Sequence, residues 1–97
     1  MAEDFGFAAP PFDPAAALEQ LKRALRDRRL VERSGGFELR GRRLVEAAVD
    51  GASISARLAQ RPMLTPQWDR FSLRSAADQR RFLDELSRRL ARWEHDE

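Results

Sequence analysis

Between Leu44 and Ala59 apolar residues recur at every second position on either side of Asp50-Gly51: Val45, Ala47 and Val49 before it, Ala52, Ile54, Ala56 and Leu58 after it. Successive side chains of a strand point to opposite faces, and an Asp-Gly pair supplies the positive φ angles of a type I′ hairpin turn. With Asp50 and Gly51 as the turn, Val49 faces Ala52, Ala47 faces Ile54 and Val45 faces Ala56. On the other side Glu46 meets Ser55. One face of this hairpin is wholly apolar and has to be covered by a second layer.

The ends of the chain supply that layer. Asp13 followed by Pro14 is a helix start, with the carboxylate as N-cap and a proline at the first helical position, where its missing N–H leaves nothing unsatisfied. At about 100° per residue, Ala17, Leu18, Leu21, Ala24 and Leu25 form one stripe, with Glu19, Arg23, Arg26 and Asp27 opposite. Arg28 would fall on the apolar stripe, which ends the helix near Asp27 or Arg28. Glu19 and Arg23 are spaced to pair on its wet face. A second, longer helix follows Ser75-Ala76-Ala77-Asp78, a capping-box-like start, and aligns Phe82, Leu83, Leu86, Leu90 and Trp93. Glu85 with Arg89 and Asp84 with Arg88 are its i,i+4 pairs.

Between the helices, glycines punctuate short runs: Leu30 to Arg33, Ser34-Gly35-Gly36, Phe37 to Arg40, then Gly41-Arg42. These are hairpin signals. Pro62 and Pro66 bracket a loop, after which Arg70 to Leu73 adds a short strand with Phe71 and Leu73 inward. The expected fold class is α+β: an N-terminal helix, an antiparallel meander of four or five short strands and a long C-terminal helix in a two-layer sandwich. Ninety-seven residues hold one core, so residues 13–97 form a single small domain. Residues 1–12, with Pro10, Pro11 and unpatterned Phe5, Phe7 and Phe12, read as a disordered arm. In element order the chain resembles double-stranded RNA-binding domains. The lysine cluster that opens their last helix has no counterpart, Asp78 stands there instead, and an extra strand precedes it, so that family is not assigned.

Composition removes most catalytic chemistries. With no cysteine there is no disulfide framework, thiolate nucleophile or zinc finger. The single histidine, His95, lies between Glu94 and Asp96 at the end of the last helix, where nothing would orient it or exclude water. Nucleophile-elbow, phosphate-loop and dinucleotide motifs are missing. Ser34-Gly35-Gly36 is accounted for by a hairpin tip. The expectation is a non-enzyme without cofactor or metal. No apolar run approaches the roughly 20 residues of a membrane span, and the start lacks a secretory pattern, so a cytoplasmic location is expected.

Charge is segregated along the chain although the net is only +2. Residues 21–43 carry nine bases against three acids, and residues 70–92 seven against three, between acidic ends. Arginines interleaved with acids on helices are usually a salt-bridged surface, and a GC-rich genome would give the same preference for arginine over lysine with no functional meaning. The compact exception is Arg40, Arg42 and Arg43 around one turn, with Arg33 across the preceding hairpin, a cationic knob suited to phosphates. Trp68, beside the proline loop, and Trp93, near the helix end, are aromatics of the kind that anchor protein interfaces. The favoured function is therefore a binding or adaptor domain for a protein partner, with nucleic-acid binding through Arg33, Arg40, Arg42 and Arg43 as the alternative. Open sheet edges suit a monomer or weak homodimer, with Arg33 or Arg57 placed to discourage edge pairing.

Overall fold

The Asp13 carboxylate caps the first helix as its sequence requires, accepting from the N–H groups of Ala15 (3.1 Å) and Ala16 (3.3 Å) at the start of α1, Pro14–Asp27. The computed structural model describes residues 12–95, and the expected arm, Phe12 apart, lies outside them. Phe12 itself packs against the core and lines a cleft of about 710 Å3 between the starts of the two helices. At its other end α1 closes in a Schellman motif. Leu30 N–H donates to the Leu25 carbonyl and Arg29 N–H to that of Arg26, with Arg29 in the left-handed region at φ 68°. Leu25 and Leu30 are both buried.

Five strands follow: β1 Val31–Arg33, β2 Gly36–Leu39, β3 Arg42–Asp50, β4 Ser53–Ala59 and β5 Trp68–Leu73. They form one antiparallel sheet in sequence order, with β1 and β5 at the edges. The upper of the two expected strand numbers is the one adopted, and β5 begins two residues before the expected Arg70. The chain ends in α2, Ala76–His95. Its start is capped by Ser75, whose hydroxyl accepts from the Asp78 N–H (3.1 Å), while the Asp78 carboxylate reaches back to the Arg74 N–H (3.0 Å). That backbone donor comes first among the influences that hold the Asp78 carboxyl below its usual value, ahead of the smaller help from Arg81, with burial opposing.

Both helices lie on one face of the sheet, α1 against β3 and β4 and α2 against β5. The fold is the expected two-layer α+β sandwich. Its core joins Leu21 and Leu25 of α1 to Val45, Ile54, Ala56, Leu58 and Leu73 of the sheet and to Phe82 and Leu86 of α2. Phe71 meets Phe82 edge-on, with ring centroids 5.0 Å apart. Arg89 pins α2 down by donating to Glu85 (2.7 Å), Asp69 (2.7 Å) and the Ala59 carbonyl (3.1 Å). Burial pushes the pKa of this guanidinium down, but its two carboxylate partners more than compensate and the net shift is upward. On the wet face of α2, Arg88 pairs with Glu85 rather than Asp84, and Glu19 and Arg23 make no ion pair among the described residues.

The central hairpin keeps its expected faces but not its expected register. Asp50 pairs with Ser53, so the two turn residues are Gly51 and Ala52, and Val49 faces Ile54, Ala47 faces Ala56 and Val45 faces Leu58. Positive φ occurs at Gly51 (61°) and not at Ala52, the signature of type II′ instead of I′. A slip of two residues preserves which side chains face inward, and it exchanges the Glu46–Ser55 pair for Glu46–Arg57. Type I′ turns occur at the other two hairpins, Ser34-Gly35 and Arg40-Gly41, where both central residues have positive φ.

Candidate functional site

A bulge decides where the arginines of the cationic knob go. Phe37 pairs with Val45 and Glu38 with Arg43, so Leu44 is an extra residue in β3. Leu44 and Val45 can then both turn inward, and both are fully buried. The same step brings Arg43 and Glu46 to one face, the outer one, which no helix covers. There Arg43 lies across the β1–β2 hairpin, donating to the carbonyls of Arg33 (2.8 Å) and Ser34 (3.1 Å) and to Glu46 (3.0 Å). Gly36 leaves the room: a β-carbon there would stand 2.3 Å from Arg43 Nη1. Glu46 also accepts from Arg57, whose guanidinium sits 4.7 Å above the Trp68 ring. Partial burial pushes the Glu46 carboxyl up, yet hydrogen bonds and charge from Arg57 and Arg43 hold it below the ordinary glutamate value. Arg33 faces Glu38 on this same side at 3.5 Å.

Arg33 and Arg43 are thus committed to a ladder of ion pairs on the outer sheet face, with Trp68 half-buried at its far end opposite Ala59. Arg33 does stand on an edge strand, but Arg57 lies on the interior strand β4. The arginine at the centre of the β5 edge is Arg70.

Arg40 and Arg42 go elsewhere. They flank Gly41 at the β2–β3 turn and line a pocket of about 570 Å3 that also contains Trp93. Its floor is apolar, from Leu39, Leu90 and Trp93, and its rim adds Arg28 and Arg29 from the end of α1. Each arrives there for a local reason. Arg28 is fixed by donation to the Ser87 hydroxyl (3.1 Å) and the Ala24 carbonyl (3.0 Å). Arg29 is turned outward by the left-handed C′ position of the Schellman motif. Trp93 continues the buried stripe of α2 and is 8% exposed. Arg29 and Arg42 have no ion-pair partner among the described residues. Glu94 is the acidic residue of the lining.

The structure therefore splits the four sequence-nominated arginines two and two. It joins Arg40 and Arg42 to Trp93 and separates all three from Trp68. Arg28, Arg29, Leu39 and Leu90 carry no functional signal in the sequence beyond the charge that Arg28 would place on the apolar stripe of α1 and the place of Leu90 in the stripe of α2. Among the described residues no group of three or more His, Asp or Glu side chains could hold a metal ion, and no helix is long and apolar enough to cross a membrane. No protein-family model, curated protein or solved structure matches this chain. What fold and site define together is a two-layer α+β domain with an uncovered sheet face and an arginine-rimmed apolar pocket at one end.

Proposed function

We propose that this domain is a non-enzymatic binding module that takes an acidic, partly apolar segment of a partner protein into the pocket between the end of α1, the β2–β3 turn and the last turns of α2. The observation that carries the reading is the pairing, in one concavity, of Arg29 and Arg42 with an apolar floor of Leu39, Leu90 and Trp93. Guanidinium groups on a rim give bidentate donors for carboxylates, and an aromatic floor supplies the desolvated contact that dominates interface affinity. The nucleic-acid alternative has less support, since Arg43 is consumed by backbone carbonyls and Glu46 and Arg33 faces Glu38.

The test is an amide and indole chemical-shift titration with short peptides of glutamate and leucine, and separately with DNA, RNA and heparin, at two salt concentrations. The expected result is movement of the Trp93 indole and the Arg29 and Arg42 amides with the acidic peptide, weakened by Arg42→Ala. Binding of DNA or RNA with a steep salt dependence, and no response to peptide, would replace this reading with the nucleic-acid one.

A further inference from the structure

The outer edge of β5 carries a second feature that the pocket does not use. Gln60 N–H donates to the Gln67 carbonyl (2.8 Å), which makes that a hydrogen-bonded pair of the β4–β5 ladder. Hydrogen-bonded and non-hydrogen-bonded pairs alternate along an antiparallel ladder, so Asp69, Phe71 and Leu73 turn their backbone groups toward β4. Trp68, Arg70 and Ser72 turn theirs outward. Six backbone donors and acceptors thus line an edge that no other described strand pairs with.

Two observations say what such an edge would take. Beneath α2 a groove of about 440 Å3 runs along β5, with half-buried Phe71 over the buried Leu73 and Phe82 as its apolar surface, between walls of six charged residues that are ion-paired with one another. On the opposite, outer side, Arg70 at the middle of the strand is exposed and has no ion-pair partner among the described residues, whereas Arg74, past the end of β5, lines the cleft between the helix starts. A second copy of this chain is a poor occupant. Pairing β5 with itself in the register that uses all three outward residues sets Trp68 against Ser72 and Arg70 against Arg70, and like charges directly opposed on one face are destabilising.

We infer that β5 accepts an extended acidic peptide as a sixth strand, with a carboxylate opposite Arg70 and its alternate apolar side chains over Phe71 in the groove between β5 and α2. The backbone provides affinity that is blind to sequence, and the two faces of the added strand provide the selection. Acids on one side and aliphatic residues on the other are the complementary pattern. This site is independent of the Trp93 pocket, which lies against the β2–β3 turn and the far end of α2.

The experiment is titration of the isotope-labelled full chain with a short capped peptide alternating glutamate and valine, and with its lysine–valine counterpart. The expected result is perturbation of the Trp68, Arg70 and Ser72 amides by the acidic peptide alone. Ser72→Pro removes one outward donor while leaving the β4 ladder intact, and should weaken binding at least about tenfold. Arg70→Glu, a surface change that leaves the backbone edge alone, should reverse the preference toward the lysine peptide. Arg42→Ala should leave this binding unchanged. Perturbation confined to the Trp93 pocket, equal binding by Ser72→Pro and Arg70→Glu, or equal binding of the two peptides would overturn the inference. So would self-association abolished by Ser72→Pro, which would make a second copy the occupant. Exposure of the edge amides only on deleting residues 1–11 would likewise overturn it, by identifying the chain's own start as the added strand.

Discussion

Replacing Gly36 by alanine should destabilise this domain, and the sign of the effect should invert when Arg43 is absent. Gly36 has no positive φ, so alanine is conformationally acceptable there and by itself should help, because glycine inside a strand is unfavourable by roughly 0.5–1 kcal/mol. The obstacle is Arg43, whose Nη1 would lie 2.3 Å and Cζ 2.7 Å from the new methyl. Its guanidinium would have to leave the Arg33 and Ser34 carbonyls and Glu46 together. Charged hydrogen bonds of this kind contribute about 1.5–3 kcal/mol each when well buried. With the Arg43 side chain 27% and Glu46 28% exposed, a discounted total of about 2 kcal/mol for the whole clasp is reasonable. Gly36→Ala should therefore cost about 1 kcal/mol net and Arg43→Ala about 2 kcal/mol. Adding Gly36→Ala to Arg43→Ala should recover about 0.5–1 kcal/mol, a coupling near 2 kcal/mol. Urea denaturation followed by tryptophan fluorescence and far-UV circular dichroism, with unchanged m-values, measures all four corners of the cycle. An equal cost for Gly36→Ala in both backgrounds would refute the reasoning, because steric conflict with Arg43 would then not be its source.

Three further outcomes follow from other parts of the fold. Leu86 is fully buried at the centre of the α2 stripe, and Leu86→Ala should lose about 2–5 kcal/mol by the same denaturation assay; less than about 1 kcal/mol would mean the stripe does not face the core. Arg29 occupies the left-handed C′ position, so Arg29→Gly should raise stability by up to about 1 kcal/mol, and a fall would show that its side chain contributes more than its backbone strain takes away. Glu46 titrates below its ordinary value near 4.5 in the folded chain, so the stability it confers is present above that pH and is lost as pH falls through its folded value. Glu46→Gln should thus cost about 1 kcal/mol at neutral pH and flatten the acid limb of the stability curve, whereas an unchanged acid limb would show that the other lowered carboxyls, Asp78 and Glu85, carry it.

The elements of this fold were legible because their signals are local. Asp13-Pro14 and Ser75 mark helix starts by capping chemistry that acts within one turn, and the stripes of Leu21, Leu25, Phe82 and Leu86 are set by helical period alone. The central hairpin shows where local reading stops. Either Asp50-Gly51 or Gly51-Ala52 can form a two-residue turn with a glycine at positive φ, and both keep Val45, Ala47 and Val49 on the core side. Choosing between them depends on partners eleven and thirteen residues away, Arg57 for Glu46 and Leu58 for Val45. The Leu44 bulge did leave a trace. Leu44 and Val45 are adjacent large apolar residues at the start of β3, and a bulge is the device that lets neighbours share a face.

The site was less legible because charge clusters in sequence are not clusters in space. Arg42 and Arg43 are consecutive in a strand, so one chain direction sends them to opposite faces whatever their joint charge suggests. Arg43 then becomes a structural clasp and Arg42 a rim residue of the pocket. The partners that give Arg42 meaning, Arg29 and Trp93, stand 13 residues before it and 51 after it. They converge only because α1 must stop at Arg28, where its apolar stripe would otherwise admit a charge, and because α2 must run as far as Trp93 to finish covering the sheet. The pocket is thus a by-product of where two helices end, which makes its position robust to changes on either helix's wet face. Its charge, carried by exposed termini and a turn, remains free to vary without disturbing the core. If the pocket binds as proposed, Trp93 serves both its floor and the core and Arg29 also sets the end of α1, whereas Arg42 belongs to neither, so substitution of Arg42 can be read as a binding effect once the fold is shown intact.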